Sequence, residues 1–202
     1  MTNLTLAIMA GGKSSRMGTD KSFVQLLGKP MIEHLLEKVT DLGQSETILI
    51  TNRPTEYNHL NIPMYGDALP EKGSLGGIYT AVHHSSSPYT LVVACDMPFV
   101  NPSLLKHMIS LSEGDAFDVI VPRVDGYPEG LHAIYSKACL EPIRQRLDAD
   151  KLKVMGFYED VRVRYLDESE YQQFDAKGLS FYNVNTPQEL EDARRLAETK
   201  TQ

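Results

Sequence analysis

Short apolar segments alternate with helical patterns along most of this chain, and this alternation limits its fold more than any other feature. Each apolar segment has the length and the apolar, often β-branched composition of a buried strand. Strands that alternate with helices are typical of a mostly parallel sheet covered by helices. The predicted strands span residues 4–10, 46–52, 62–67, 89–95, 117–124, 130–135, 161–166 and 180–185.

The helical patterns between these strands have recognisable ends. Asn101 is placed as the N-cap of one helix, just before a proline at its first turn. Thr186 and Glu189 have the spacing of a capping box at the start of another. Each pattern also carries apolar residues at helical spacing. The predicted helices span residues 30–43, 101–111 and 186–198.

These patterns predict an α/β fold with three layers, a Rossmann-like, mostly parallel twisted sheet with helices on both faces. A chain of 202 residues is long enough for a single domain with a sizeable core. Residues 124–165 interrupt the alternation. We therefore expect strands in that part either to run antiparallel or to form a lobe over the site.

Hydropathy and charge exclude several classes of partner. The longest apolar runs are too short to cross a bilayer, and the first residues lack the pattern of a signal peptide. We expect a cytoplasmic protein with no membrane partner. A formal net charge of -7 argues against binding to nucleic acid. Residues 1–30 are the exception, with four basic residues and one acidic residue, and this predicts a small anionic ligand there.

The two cysteines and three of the histidines have structural explanations. Cys95 and Cys139 are far apart and lack metal-ligand spacing, so we expect two reduced structural thiols. His83 and His84 end a helical pattern, where protonated imidazole rings can face the helix dipole. His132 lies in the irregular part of the chain and is considered as a substrate contact.

The loop MAGGKSSRMGTDK, residues 9–21, directly follows the first predicted strand. In open α/β sheets ligands bind beyond the carboxyl ends of the strands. Gly11 and Gly12 would let backbone N–H groups approach phosphate oxygens without a Cβ in the way. Arg16 can hold two oxygens in a forked contact and Lys21 can act as a point charge. This combination predicts a triphosphate-binding loop.

Two better known phosphate-binding patterns do not fit this loop. A P-loop ending in the GKS of residues 12–14 would need glycine at position 7, which is Ala7. A dinucleotide fingerprint starting at Gly11 would need glycine where Lys13 and Arg16 stand. A dehydrogenase is therefore excluded.

Polar residues end three of the predicted strands. Asp96 follows the strand 89–95, where it can either coordinate Mg²⁺ or cap the next helix. Asp67 ends the strand 62–67, where a carboxylate can accept from guanine N–H groups or from ribose hydroxyls. Asn52 ends the strand 46–52 and is a weaker nucleotide candidate, because asparagine there is more often a turn residue.

The loop at residues 9–21 resembles the signature of the MobA-type nucleotidyltransferases, L-A-G-G-x-S-x-R-M-G-x-D-K. The resemblance continues in GKPMIEH, GSLGGIYTAV, CDMPFV and NVNTPQEL, in the family's order and over nearly the whole chain. Met9 replaces the usual leucine, and Ser74 replaces the usual proline of the GPLxG element. The resemblance implies a fold like that of the nucleotide-diphospho-sugar transferases.

The family resemblance implies that this protein transfers GMP from GTP to the terminal phosphate of molybdopterin, with Mg²⁺ as cofactor. Arg16, Lys21 and Asp96 are then expected to be catalytic, with the metal on Asp96. Asn183 and Asn185 are expected near the substrate. The implied nucleotide contacts are Met9, Ala10, Gly11, Gly12, Lys21, Asn52, Asp67 and Asp96.

The resemblance also implies a single domain over residues 1–202, with a nucleotide-binding half at 1–115 and a substrate-binding half at 116–202. Molybdoenzymes or other proteins of cofactor biosynthesis are the implied protein partners. Two kinds of alternative remain open from the sequence. One is a transferase that uses CTP or acts on a sugar phosphate, since base choice can depend on a few contacts. The other is a module that binds GTP or molybdopterin for delivery without catalysis.

Overall fold

The structure, a computed structural model, describes residues 3–10 and 21–198, with the backbone alone at Lys21. Its strands are β1 (Leu4–Met9), β2 (Gln25–Leu26), β3 (Lys29–Pro30), β4 (Glu46–Ile50), β5 (Met64–Tyr65), β6 (Tyr89–Ala94), β7 (Val119–Val124), β8 (Tyr127–Pro128), β9 (His132–Ser136) and β10 (Val163–Leu166). Its α-helices are α1 (Met31–Val39), α2 (Pro54–Tyr57), α3 (Gly73–His84), α4 (Pro102–Leu111), α5 (Leu140–Asp148), α6 (Glu168–Tyr171) and α7 (Pro187–Glu198). Short 3-10 helices cover residues 21–23, 58–60, 137–139, 154–160 and 179–181.

Eight of the described strands form one sheet, in the order β10-β7-β9-β6-β1-β4-β5, with β8 paired to β7. The strand β1 runs parallel to both of its neighbours, β4 and β6. The strand β9 runs antiparallel to both β6 and β7. The prediction of a mostly parallel sheet is confirmed, and so is an antiparallel strand within residues 124–165.

The central strands β1 and β6 are buried on both faces, which explains why they read as nearly continuous apolar runs. Successive side chains point to opposite faces of the sheet. Leu6 and Leu91 belong to one core cluster, whereas Ala7 and Val92 belong to the other. The sheet therefore separates two hydrophobic cores.

Helices cover each of the two cores. Ile32 of α1 and Leu104 of α4 pack into the core that contains Leu6. Ile78 of α3 and Ile143 of α5 pack into the opposite core. Helices on both faces of a twisted sheet confirm the predicted three-layer fold. A third cluster joins α7 to the β2–β3 hairpin through Leu26, Met31, Phe99, Val184, Leu190 and Ala193.

Both predicted helix starts are confirmed by side-chain caps. The Oδ1 atom of Asn101 accepts hydrogen bonds from the backbone N–H groups of Ser103 and Leu104, at 2.8 and 3.3 Å. Thr186 Oγ1 accepts from Glu189 N at 3.2 Å, and the Glu189 carboxylate accepts from Thr186 N at 2.8 Å. These reciprocal bonds form the capping box of α7.

The predicted strand at 180–185 is wrong. A 3-10 helix at Leu179–Phe181 occupies its first half, after Gly178 with φ of +61°. In its second half, Val184 N donates to the backbone carbonyl of Asp96 at 2.9 Å and joins no strand ladder. Alternating apolar residues gave this segment a strand-like pattern, but its partner is the loop after β6.

Both cysteines are buried and neither forms a disulfide bond, as predicted for structural thiols. The thiol of Cys139 donates to the carbonyl of Asp118 at 3.3 Å, and burial raises its pKa to about 12. Within the described residues, the helices are too short or too polar to cross a membrane.

Candidate active site

The carboxyl ends of three parallel strands meet at one edge of the sheet. Ala10 N donates to the carbonyl of Ile50 at 2.9 Å, and Cys95 N donates to the carbonyl of Met9 at 3.1 Å. These bonds extend the ladder of β1, β4 and β6 past the strand ends. Met9 is half-buried and Ala10 is buried, so both predicted nucleotide contacts lie at this edge.

Asp96 lies two residues beyond the end of β6 and is half-buried. Its backbone carbonyl accepts from Val184 N at 2.9 Å, which brings the segment 183–185 to the same place. Burial, together with the charge of Asp96, raises the pKa of the Glu129 carboxyl. Asp96 therefore lies at the meeting point of β6, residues 183–185 and the turn before β9.

The residues that follow the glycine loop lie close to Asp96. Lys21 begins the 3-10 helix at Lys21–Phe23, and the next residue places its hydroxyl, Ser22 Oγ, 3.0 Å from Cys95 Sγ. The backbone of Lys21 thus lies one residue from a contact with the neighbour of Asp96. The side chain of Lys21 lies outside the described residues, as do Gly11, Gly12 and Arg16, so their predicted roles stay predictions.

Asn52 and Asp67 are joined by two hydrogen bonds across the ends of β4 and β5. Asn52 Nδ2 donates to Asp67 Oδ2, and Asp67 N donates to Asn52 Oδ1, both at 2.8 Å. Gly66 fits closely here, because a Cβ would lie 3.2 Å from Asn52 Oδ1. In the part of the chain that the structure describes, no hydrogen bond reaches Asp67 Oδ1. Among these residues, one carboxylate oxygen at this strand end therefore has no hydrogen-bond partner.

Two glycines of the GSLGG stretch have close neighbours at the start of α3. A Cβ on Gly77 would lie 2.3 Å from Met9 Cε, and one on Gly76 would lie 2.7 Å from Lys72 Cβ. Thr80 Oγ1 donates to the carbonyl of Gly76 at 2.8 Å. Gly77 therefore lets the start of α3 lie against the side chain of Met9 at the end of β1, whereas Gly76 leaves room for Lys72 just before the helix.

Asn183 and Asn185, on the other side of Asp96, are both half-buried. Asn183 Nδ2 donates to the carbonyl of Phe181 at 3.1 Å. Asn185 N donates to the Glu189 carboxylate at 2.7 Å, beside the capping box of α7. The NVNTP segment therefore contributes to the start of α7 and also places Asn183 and Asn185 next to Asp96.

The histidine predictions need correction. His132 is 0 % exposed with its ring edge-on to Phe181, so it is not a surface contact for substrate. Burial lowers its pKa to about 4. His83 stacks on Tyr79 and His84 stacks on Tyr65. Burial and the charge of His83 lower the pKa of His84, which disfavours a protonated ring at the end of α3.

A lysine provides the positive charge at the end of α3 instead. Lys137 Nζ donates to the carbonyls of Val82 and Ser85, the latter at 2.6 Å. A cation at a helix C-terminus interacts favourably with its dipole and satisfies carbonyls that have no partner in the helix. This contact joins residues 52 positions apart, so the local sequence of α3 gave no sign of it.

Glu129 is the site residue that the sequence did not indicate. It lies in the turn between β8 and β9, where a lone glutamate is ordinarily a solvated surface residue. Here it is half-buried and close enough to Asp96 for their charges to interact. The described residues contain no group of three or more His, Cys, Asp or Glu side chains that would form a complete metal cage.

Comparisons with known proteins agree with this geometry. The family model for the MobA-like NTP transferase domain matches residues 6–163, from β1 to the start of β10, and so includes Asp96 and the strand ends around it. The chain belongs to this family. It is a nucleotidyltransferase, and the family resemblance read from its loop motifs is confirmed.

The similarity extends over the full length of named relatives. The chain is 38% identical to the "Probable molybdenum cofactor guanylyltransferase" of Natranaerobius thermophilus, with 96% of each chain covered. It is 34% identical to the "Molybdenum cofactor guanylyltransferase" of Desulfosudis oleivorans, over 96% of this chain and 95% of that protein.

A solved structure confirms the fold. The molybdopterin-guanine dinucleotide biosynthesis protein A of Archaeoglobus fulgidus superposes with a TM-score of 0.85 at 29% identity. The alignment covers 96% of this chain and 99% of that protein. The predicted likeness to the nucleotidyltransferase fold therefore includes the half of the chain that carries Glu129, Asn183 and Asn185.

Proposed function

We propose that this protein transfers GMP from GTP to the terminal phosphate of molybdopterin and forms molybdopterin guanine dinucleotide and pyrophosphate. The full-length relatives named as molybdenum cofactor guanylyltransferases support this choice of substrates. The observation that carries it is the position of Asp96. The carboxylate follows the central strand β6, with the Asn52–Asp67 pair on one side and residues 183–185 and Glu129 on the other.

GTP is proposed to lie over the ends of β1, β4 and β5. The backbone of Met9 and Ala10 forms the floor there, and Asp67 Oδ1 accepts from the guanine edge or a ribose hydroxyl. The two bonds with Asn52 hold the Asp67 carboxylate in place before the ligand arrives. Gly11 and Gly12 would present backbone N–H groups to the phosphates.

The donor set around Asp96 fits magnesium. Mg²⁺ is bound by one or two carboxylates, with water and substrate phosphates as its other ligands, and so it needs no complete protein cage. Burial chiefly, and the charge of Asp96 as well, raise the pKa of Glu129, so a second carboxyl group lies within range of the Asp96 charge, and this favours a cation. The chemistry supplied by a bound magnesium ion is neutralisation and alignment of the phosphates. Asp96 would hold it.

The acceptor needs no general base from this chain. A phosphate monoester has a second pKa of about 6 and is largely ionised near neutrality. The residues of the site therefore contribute positioning and charge stabilisation. Arg16 and Lys21 are proposed to neutralise charge on the α-phosphate and on the departing pyrophosphate.

This assignment divides the chain by role. Residues 1–115 supply the nucleotide side, with the glycine loop, Asn52, Asp67 and Asp96. Residues 116–202 supply the substrate side, with Asn183 and Asn185 as proposed contacts of molybdopterin. Molybdoenzymes or other proteins of cofactor biosynthesis are the proposed recipients of the product.

A product assay tests the proposal. The protein is incubated anaerobically with molybdopterin, Mg²⁺ and each of the four nucleoside triphosphates in turn, and products are identified by mass. We expect guanine dinucleotide and pyrophosphate with GTP, and loss of both when Mg²⁺ is chelated. Product with CTP alone would instead identify a cytidylyltransferase. Binding of GTP or molybdopterin without pyrophosphate release would identify a delivery module.

A further inference from the structure

The order of the strands divides the space around Asp96 into two sides. The strands β1, β4 and β5 lie on one side of β6, and β9, β7 and β10 lie on the other. In phosphoryl transfer the attacking and leaving oxygens are roughly in line with the phosphorus atom. If the triphosphate follows the loop after β1, the attacking phosphate approaches from the β9 side. This argument rests on the proposed function.

The turn before β9 is held rigidly on that side. Glu129 N donates to the carbonyl of Pro122 and His132 N donates to the carbonyl of Glu129, both at 2.9 Å. The carbonyl of Leu131 accepts from Ala94 N, also at 2.9 Å, and this ties the turn to the end of β6. The backbone that carries Glu129 is therefore bonded to β6 and β7.

A pair of tyrosines fixes the next residue. Tyr135 Oη donates to the carbonyl of Gly130 at 2.7 Å and lies 3.1 Å from Tyr158 Oη. A Cβ on Gly130 would lie 2.5 Å from Val154 Cγ1, so only glycine fits without a shift. Rigid backbone of this kind suits a residue that recognises a ligand, because little is lost in ordering it.

The carboxylate on this rigid turn has acceptor capacity that the protein does not use. Among residues 3–10 and 21–198, Glu129 forms no side-chain hydrogen bond and no ion pair, although it is half-buried. Its half-buried position limits the contact of the side chain with water. A half-buried carboxyl group that lacks a partner costs free energy, and a ligand that donates hydrogen bonds would offset this cost.

We propose that Glu129 recognises the pterin ring of the acceptor by accepting hydrogen bonds from its aminopyrimidinone edge. That edge offers two adjacent donors, the ring N3–H and the 2-amino group, which match the two oxygens of one carboxylate. Glu129 is thus a specificity residue for molybdopterin. The two neighbouring asparagines are less suited to this role, because an amide has one acceptor oxygen for the two donors of the ring edge.

The test compares Glu129→Gln with the wild-type protein in the dinucleotide assay. Glutamine keeps the shape but replaces one acceptor with a donor that faces the donors of the ring. We expect KM for molybdopterin to rise about 10- to 100-fold, the range for one hydrogen bond to a charged group, while KM for GTP changes less than about twofold. The control is Glu159→Gln, an exposed glutamate in the 3-10 helix at Val154–Asp160, which should change neither constant.

A second measurement tests the ring edge directly. Pterin-6-carboxylate and lumazine-6-carboxylate are compared as inhibitors, since lumazine carries an oxygen where pterin carries the 2-amino group. The wild-type protein should prefer pterin, and Glu129→Gln should reduce or reverse that preference. Equal inhibition by the two rings, or none by either, in the wild-type protein would overturn the inference.

The remaining outcomes separate this inference from the proposed function. Dinucleotide formation with an unchanged KM for molybdopterin in Glu129→Gln would overturn the role of Glu129 alone. Weaker Mn²⁺ binding by Glu129→Gln, measured by electron paramagnetic resonance without acceptor, would make Glu129 a metal ligand and overturn it too. No dinucleotide from the wild-type protein with any nucleotide would overturn the proposed function, and the inference with it.

Discussion

On the β4 and β5 side of Asp96 the polar side chains are bonded to each other, as Asn52 and Asp67 are through two hydrogen bonds. On the β9 side Glu129 has no such partner within the described residues, although it is half-buried. The carboxylate of Asp67 on the nucleotide side is therefore oriented before the ligand arrives. On the β9 side, here called the acceptor side because molybdopterin is proposed to bind there, the Glu129 carboxylate can still accept hydrogen bonds from a ligand. Under the proposed function, one side meets its substrate with a carboxylate held in place by Asn52, and the other with a carboxylate that has no partner among the described residues.

The substitution Asp96→Asn removes the charge of the carboxylate that lies between the two sides. We expect kcat for pyrophosphate release to fall about 100- to 1,000-fold, because a neutral amide oxygen binds the cation that stabilises charge in the transition state much more weakly than a carboxylate does. The backbone bond from Val184 N stays, so thermal unfolding should change little. Asp41→Asn is a control, since its side chain is 99% exposed. Activity within tenfold of wild type would remove Asp96 from the mechanism.

The buried imidazole of His132 makes the stability of the fold depend on pH. Its folded pKa of about 4 lies below the value of about 6.5 for an unfolded chain, so the unfolded state binds more protons between these values. This contribution is complete above pH 6.5 and is lost as pH falls toward 4, by about 3 kcal/mol at most. Denaturant unfolding of His132→Leu should show a shallower loss over this window. Parallel curves for the two proteins would contradict the prediction.

Gly130→Ala should damage the acceptor side more than the nucleotide side. The new Cβ would collide with Val154 Cγ1 at 2.5 Å, and overpacking of this kind costs about 1–3 kcal/mol. KM for molybdopterin should rise while KM for GTP stays near its wild-type value. Gly156→Ala is the matched control, because its Cβ would meet its nearest neighbour at 3.9 Å. Equal unfolding free energies for the two variants would show that the turn is not rigid.

Asn52→Ala should impair the nucleotide side more than the acceptor side, the reverse of the effect expected for Gly130→Ala. Loss of both bonds to Asp67 should raise KM for GTP about tenfold, because the carboxylate is no longer oriented in advance. KM for molybdopterin should stay within about twofold. Isothermal titration with GTP measures the same effect without the acceptor. An increase in both constants would mean that the two sides are not independent.

The sequence predicted well those features that depend on neighbouring residues. The strand β6, the Asn101 N-cap and the capping box of Thr186 and Glu189 follow from local composition and spacing. The apparent strand at 180–185 was wrong because its hydrogen-bond partner, the carbonyl of Asp96, lies far away in the chain. Local pattern cannot distinguish an extended segment that joins a sheet from one that crosses its edge.

The features of the candidate site also divide into those that the local sequence indicated and those that depend on residues distant in the chain. Residue type and strand ends indicated Asp96, Asn52 and Asp67, but not the bonds between Asn52 and Asp67, which are 15 positions apart. Glu129 was missed because the position of its turn depends on hydrogen bonds to β6 and β7, which the local sequence does not show. Lys137 was missed at the end of α3 because its three carbonyl partners lie more than 50 positions earlier.

The bond from Val184 N to the carbonyl of Asp96 has a consequence for synthesis of the protein. Most of the sheet can pair once β9 has left the ribosome, but the surroundings of Asp96 stay incomplete until the residues around position 184 emerge. A nascent chain that stops before this point would have its strands in place and no finished catalytic centre. Activity would therefore appear late in translation, after most of the fold has formed.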